Sequence, residues 1–332
     1  MSMNADVWGL IWSYCQGAPL RHVCKAWLIK NTSKKILWKM ISTAKLAEWA
    51  RSQGCPWDES TCAYAARHGY LEVLKWLRCP NGQPEHACPW NESVCFDAAR
   101  NGHLEVLKWA RKNGCLWDES TCTYAAVNGH LEVLQWAREN GCSWDEWTCA
   151  YAASGGHLEI LKWLRTNGCP WDMWTTAHAA QEGHFEVLKW AHSNGCPWNE
   201  WTCSHAARSG HLNILKWLRA NGCPWNSRTC FNAARHGHFE VLKWAHENGC
   251  PLPNNICDAA ALGGHLEILK WLRSQGCPWS ESTCADAALG GYLEVLKWLR
   301  SQGCPWDNAT YESAKIGHPE VMTWARANGC FE

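Results

Sequence analysis

Eight cysteine pairs in the chain share the spacing C-x6-C, among them Cys55/Cys62, Cys88/Cys95 and Cys277/Cys284. Paired thiols at a fixed interval are the raw material of zinc sites, disulfides and redox relays. A structural zinc ion takes four ligands, and its cysteines usually sit two to four residues apart so that both sulfurs reach one ion. Six intervening residues do not supply that geometry. Substitution within the chain argues further against ligation. Thr176 stands where Cys62 has its counterpart in one copy, and Thr310 or Tyr311 takes that place in the last copy. A slot that accepts threonine or tyrosine is a packing slot, and free cysteine behaves as a small hydrophobe. The sequence shows no positively charged start followed by an apolar stretch, so no secretory signal is read and the thiols are expected to be reduced, in a cytoplasmic setting.

Cys79, His86 and Cys88 cluster in one stretch and offer three metal donors, but no clear fourth, and read as a coincidence of a loop. Histidine follows glycine at His103, His130, His157, His184, His211, His238, His265 and His318, with Tyr70 and Tyr292 in the same place. Catalysis needs one histidine set apart by a nucleophile or base partner. A histidine repeated at every turn instead predicts hydrogen bonds that tie neighbouring units. Trp57, Trp90, Trp117, Trp144, Trp171, Trp198, Trp225, Trp279 and Trp306, replaced once by Leu252, close the turns and are expected to form a stacked ladder along one edge.

These residues belong to a repeat, and the repeat must position them. The tryptophan of the V-L-K-W pattern recurs from Trp49 to Trp324 in steps of 27, 33, then 27 seven times, then 26. Each unit reads as two short helices. The first is expected to start at Asp58, Asn91, Asp118, Asp145, Asp172, Asn199, Asn226, Asn254, Ser280 or Asp307, side chains that cap free backbone N–H groups. A small pair such as Ala65 and Ala66 allows close helix approach, and Gly69 and its equivalents stop the helix. The second helix carries an apolar stripe, Leu71, Val73, Leu74, Trp76 and Leu77, and ends at Asn-Gly or Gln-Gly. One such unit cannot bury both its helices alone, so the units must stack.

The string A-A-x-x-G-H-L-E-V-L-K-W-L-R-x-x-G-C, which Ala152 to Cys169 follow with Ile160 in the Val place, resembles an ankyrin repeat, and the resemblance covers residues 46–330. Ankyrin units usually have about 33 residues. Here the six missing residues fall where that family carries a projecting β-hairpin finger. The resemblance therefore implies an all-α, ankyrin-like helix-pair solenoid of about ten units over residues 46–332, mostly without fingers. It places the first helices on a concave face. The one 33-residue step holds residues 78–88, rich in Pro, Gly and Asn, and reads as a longer loop.

Residues 1–45 fall outside the repeat. They resemble an F-box through Val7, Leu10, Ile11, Tyr14, Leu20, Val23, Cys24, Trp27 and Trp38, although the usual initial Leu-Pro is absent and the segment between Tyr14 and Leu20 is short. The alternative is a helical cap shielding the first repeat. The F-box resemblance implies docking of the Skp1 subunit of a cullin-type ubiquitin ligase. The combination with short tryptophan-rich units looks like proteins of giant DNA viruses, which would place this one in host cytoplasm.

Balanced charge, 31 basic and 31 acidic residues, opposes a broad nucleic-acid footprint. No run of about 18 apolar residues is present to span a membrane. No phosphate loop, nucleophile elbow or metalloprotease motif occurs, so no enzymatic activity and no cofactor are expected. A monomer is expected. The first-helix positions equivalent to 60, 63, 64 and 67 vary between units and are the candidate contact positions. Three neighbouring units break pattern together, with Trp147, Trp174 and Trp201 at one position and Tyr151, His178 and His205 one helical turn on. Tyr124 and Arg228 flank this set. Exposed Trp, Tyr and Arg are favoured at binding hot spots, while the competing reading is that these rings thicken the core between units. Three functions remain: a ligase-linked adaptor, a scaffold with no ligase link, and a metal- or redox-responsive protein.

Overall fold

A computed structural model describes residues 44–52, 57–82 and 87–330. Among these residues it is built of α-helices and one short 3-10 turn, with no strand. The helices fall into two compact units, Met1–Ser143 and Trp144–Glu332. The first contains α1 (Ala44–Ser52), α2 (Glu59–Arg67), α3 (Leu71–Arg78), α4 (Ser93–Arg100), α5 (Leu104–Lys112), α6 (Glu119–Val127) and α7 (Leu131–Glu139). The second contains α8 (Glu146–Ser154), α9 (Leu158–Thr166), α10 (Met173–Gln181), α11 (Phe185–Ser193), α12 (Glu200–Arg208), α13 (Leu212–Ala220), α14 (Ser227–Arg235) and α15 (Phe239–Glu247). It continues through α16 (Ile256–Leu262), α17 (Leu266–Ser274), α18 (Glu281–Leu289), α19 (Leu293–Ser301), α20 (Asn308–Ala314) and α21 (Pro319–Ala327). Each compact unit is a stack of helix pairs in which the first helix of one pair packs on the first helix of the next. The F-box-like positions Leu10, Ile11, Tyr14, Leu20, Val23, Trp27 and Trp38 lie outside the described residues.

Local chemistry sets the helix ends. Asp58, Asp118, Asp172, Asn199, Asn226 and Asp307 each accept a hydrogen bond from a first-turn N–H with their side chains. Asn91 does so from the N–H of Ser93 at 3.1 Å. The start expected at Asn254 is a correction: α16 begins at Ile256, its N-terminal residue Asn255 makes no side-chain cap, and the helix has 7 residues where its neighbours have 9. Pro253 stands where the other units carry the capping Asp, Asn or Ser, so the cap is lost and the helix starts late.

In most units both helices end in the same backbone motif. In α12 the N–H of Gly210 donates to Ala207 and that of His211 to Ala206, while in α13 Gly222 donates to Arg219 and Cys223 to Leu218. This is the double hydrogen bond of a Schellman stop, which needs a left-handed residue just past the helix. Gly210 and Gly222 supply it at φ +78° and +81°. The recurrent Gly-His and Gly-Cys dipeptides are therefore the last two residues of the two stops. At Gly210 an added Cβ would also lie 2.5 Å from the ring of His238 in the next unit, whereas at Gly222 nothing lies within 4 Å.

The core is a continuous file of small and aliphatic side chains. Leu188, Leu215, Leu242 and Leu269 are fully buried, as are Ala180, Ala207, Ala234 and Ala288. Burying each leucine contributes about 1.5–3 kcal/mol. Cysteine belongs to this file, since every free cysteine described except Cys79 is buried.

Candidate functional site: first-helix aromatic lattice and the clamps that hold it

The cysteines pair in space, but not as their C-x6-C spacing suggests. Cys62 donates to the carbonyl of Cys88, and Cys203 and Cys230 donate likewise to those of Cys223 and Cys250. Each helix cysteine meets the turn cysteine that follows it, at the next unit's entry. The turn thiol in turn donates to a capping residue's carbonyl, as Cys196 does to Asp172 and Cys223 to Asn199. In the unit that carries Thr176 the hydroxyl serves instead, with the carbonyls of Met173 and Pro197 within donating reach at 2.9 and 3.0 Å. In the last unit the slot falls on Tyr311, 4% exposed. Burial pushes the Cys196 and Cys257 thiols up to about 12, so they stay protonated at neutral pH. Protonated buried thiols are poor nucleophiles and poor metal ligands.

Cys79 is exposed while Cys88 is buried and donates to Asp58, so these two do not converge, and His86 lies outside the described residues. No group of three or more His, Cys, Asp or Glu side chains placed to hold a metal occurs among the described residues.

The post-glycine histidines bridge units as the sequence predicts. His103, His184, His211, His238 and His265 place Nε2 2.9–3.1 Å from the carbonyls of Arg67, Ser154, Gln181, Arg208 and Arg235. The turn tryptophans depart from expectation. They do not stack on one another. Each meets the second-helix tryptophan one unit on, mostly edge to face, as in Trp171–Trp190 and Trp225–Trp244, both 5.9 Å apart. The other face is covered by an arginine: Arg165 lies 4.1 Å over Trp171, Arg219 4.2 Å over Trp225 and Arg273 3.8 Å over Trp279. The same guanidiniums donate to the turn cysteine carbonyls, as Arg273 does to Cys277. This clamp was missed in the sequence, although its signal is there: an Arg or His stands six residues before the turn ring in nearly every unit.

These clamps hold the first helices in register, and on α8, α10 and α12 the deviant residues assemble into a two-row lattice. In the first row Trp147 stacks on Trp174 at 6.1 Å and Trp174 meets Trp201 at 6.0 Å. Arg228 of α14 closes the row with its guanidinium 4.1 Å over Trp201. In the second row Tyr151 lies 5.8 Å from His178, and His178 stacks 6.4 Å from His205. The rows interlock through Trp174–His205 at 5.9 Å and Trp147–His178 at 6.3 Å. Trp147 is 39% exposed, and the other ring residues are half-buried. Seven of the eight candidate contact residues thus come together. The eighth, Tyr124, belongs to the first compact unit, where it packs on Phe96 at 4.4 Å beneath Arg100. Of the four variable positions, the one equivalent to 63 divides by residue. Ala63, Ala150, Ala177 and Ser204 are buried, while Phe96, Phe231 and Asp258 are partly exposed and Glu312 is exposed.

The lattice tunes its histidines. Burial, with His178 and Arg208 nearby, lowers His205 to about 4, and burial lowers His178 as well. His205 Nδ1 donates to the Gln181 side-chain oxygen at 2.5 Å. Both rings are neutral at pH 7. Because the folded values lie below the unfolded value of about 6.5, stability is complete above that pH. It is lost progressively as the pH falls from about 6.5 towards 4 and protons bind the unfolded chain first. Urea midpoints between pH 7 and 4.5 are expected to fall less steeply in His178→Gln/His205→Gln than in the natural chain. Parallel curves would contradict the assignment.

No described helix is long and apolar enough to cross a membrane. Comparison with known proteins bears on the repeat itself. Residues 149–229 match a family model described as ankyrin repeats (3 copies), and residues 122–165 and 230–273 match one described as ankyrin repeats (many copies). No curated protein matches the chain. Among solved structures 186 chains match. One is the crystal structure of the human ASB11 ankyrin repeat domain, 18% identical over 47% of this chain and 84% of that one, with a TM-score of 0.39.

Proposed function

We propose that this chain, which carries ankyrin repeats and so a protein-interaction module, is an adaptor that holds a target protein on the first-helix face of its second compact unit. Ankyrin arrays are binding scaffolds and typically not enzymes. The observation that carries the reading is the lattice of Trp147, Trp174, Trp201, Tyr151, His178 and His205, closed by Arg228. Large rings set in rigid helices lose little entropy on binding, and arginine beside tryptophan is the composition of a hot spot. With neutral histidines the lattice suits an apolar or aromatic segment. Arg228, exposed on one side, adds a place for a carboxylate.

Residues 1–45 form a separate F-box-like cap in this reading, ahead of the array at 46–332. The F-box resemblance supports recruitment of Skp1 and a cullin ligase, with transfer chemistry left to other subunits. A cytoplasmic site of action, in a host cell if the source is viral, follows from the same resemblance. The second reading is a scaffold with no ligase link. A pull-down with Skp1 separates the two: the natural chain is expected to retain Skp1 and Val23→Ala/Trp27→Ala to lose it. No retention by the natural chain favours the scaffold. Target binding is tested separately, by co-purification with the natural chain and with Trp174→Ala/Trp201→Ala. The target is expected only with the first.

A further inference from the structure

Residues 183–198 and 237–252 are two copies of one segment, GHFEVLKWAHSNGCPW and GHFEVLKWAHENGCPL. They differ only at Ser193 against Glu247 and at Trp198 against Leu252. The shared side chains take matching places. Phe185 meets Trp217 edge to face at 5.6 Å and Phe239 meets Trp271 at 5.8 Å. His192 meets Trp217 at 5.8 Å and His246 meets Trp271 at 5.7 Å. Lys189 and Lys243 lie over Phe185 and Phe239 alike.

The copies part at one ring. Trp198 stacks flat on His192, 3.6 Å away at 10°, with its edge 5.9 Å from Trp217. In the second copy Leu252 has no ring to put there. A cleft of about 430 Å³ opens instead, lined by His246, Cys250, Pro251, Leu252, Gln275 and Gly276. The turn beside it is less covered than its counterparts. Cys277 is 6% exposed against 0% for Cys223 and Cys304, and unlike them it donates to no capping carbonyl among the described residues. The molecule thus carries its own Trp-to-Leu exchange, with the histidine and the next unit's tryptophan kept as His246 and Trp271.

We propose that this notch is a docking site for a planar aromatic side chain of a protein partner. The ring takes the place that Trp198 holds in the sibling copy, its face on His246 and its edge on Trp271. A side chain, as opposed to a free molecule, is favoured by how the site is filled in the sibling: the occupant there is itself a side chain, Trp198, borne on a turn beside the exposed Pro197. A partner's chain crossing the same surface presents its ring in the same way. The site lies at the unit-to-unit turn, is built from different residues than the first-helix lattice, and stands whether or not that lattice binds a target.

The test uses the full chain and a fluorinated peptide, Ac-Gly-Ser-(5-fluoro-Trp)-Ser-Gly-NH2, followed by ¹⁹F line broadening. The natural chain is expected to broaden the probe in a saturable way. Leu252→Trp, which closes the notch with the chain's own ring, weakens that binding at least tenfold. Trp198→Leu opens a second notch and doubles the saturable sites, and should it fail to fold by circular dichroism, Leu252→Trp decides alone. No broadening by the natural chain overturns the proposal. So does equal broadening by Leu252→Trp, which would place the probe elsewhere, on the first-helix lattice for instance. Saturation by free 5-fluoroindole with none by the peptide also overturns it, since the notch would then take a free aromatic molecule.

Discussion

Leu215→Ala is expected to lower the unfolding free energy of the unit spanning Trp144–Glu332 by about 2–5 kcal/mol. Leu215 is fully buried in α13, between Ile214 at 4% exposure and Leu218 at 0%. Its removal leaves a cavity that the adjoining helices cannot close, because their caps and Schellman stops fix the backbone on both sides. The consequence reaches beyond one site. In a repeat array each unit is stabilised by its neighbours, so stability is a sum of unit and interface contributions. A weakened unit in the middle disconnects those before it from those after it. Urea unfolding followed by circular dichroism is expected to show a lower midpoint and a broadened or two-step transition. Asn213→Ala, two residues away on the exposed side of the same helix, serves as the control and is expected to change stability by less than about 0.5 kcal/mol. Equal effects of the two substitutions would contradict the placement of the core.

The helix pairs, their stops and the inter-unit histidine bonds were legible in the sequence because each has a local chemical signature. Gly210 and Gly222 are needed at positive φ, Asp172 and Asn199 cap free N–H groups, and the leucine stripe of α13 repeats at helical spacing. What was not legible depends on which unit a residue faces. Cys203 sits seven residues after Cys196 in the chain but packs against Cys223, since the thiol points across the stack to the following turn. The role of Arg165 is local by contrast, its guanidinium covering the ring six residues on, and it was missed although the spacing repeats. Position 63 is buried where it holds Ala63, Ala150, Ala177 or Ser204 and partly exposed where it holds Phe96 or Phe231, so variation alone did not mark exposure. At α16 the pattern of capping residues suggested a start at Asn254, while the loss of the cap at Pro253 delays the helix. The rings of the lattice were legible as a set because they break the repeat together. Their interlocking into two rows, and the neutral histidines that result, required the stack.

The second large effect is on binding. Trp174 is the centre of the lattice, touching Trp147, Trp201, His178 and His205. Truncating it together with Trp201 removes the middle of the platform and leaves the guanidinium of Arg228 without the ring beneath it. Central, half-desolvated tryptophans each cost about 2 kcal/mol or more when truncated in an interface, which is roughly thirtyfold in affinity. Trp174→Ala/Trp201→Ala is therefore expected to bind its target at least thirtyfold more weakly. The loss of stability should stay modest, because both rings are partly exposed and the fully buried file of Ala177, Ala180 and Ala207 is untouched. The most direct measurement is calorimetric titration of the co-purified target into the natural chain and into this double variant, with folding of both verified by circular dichroism. Affinity reduced thirtyfold or more in a folded variant is the result expected of a first-helix binding face. Unchanged affinity in a folded variant would contradict it and return the rings to the core between units.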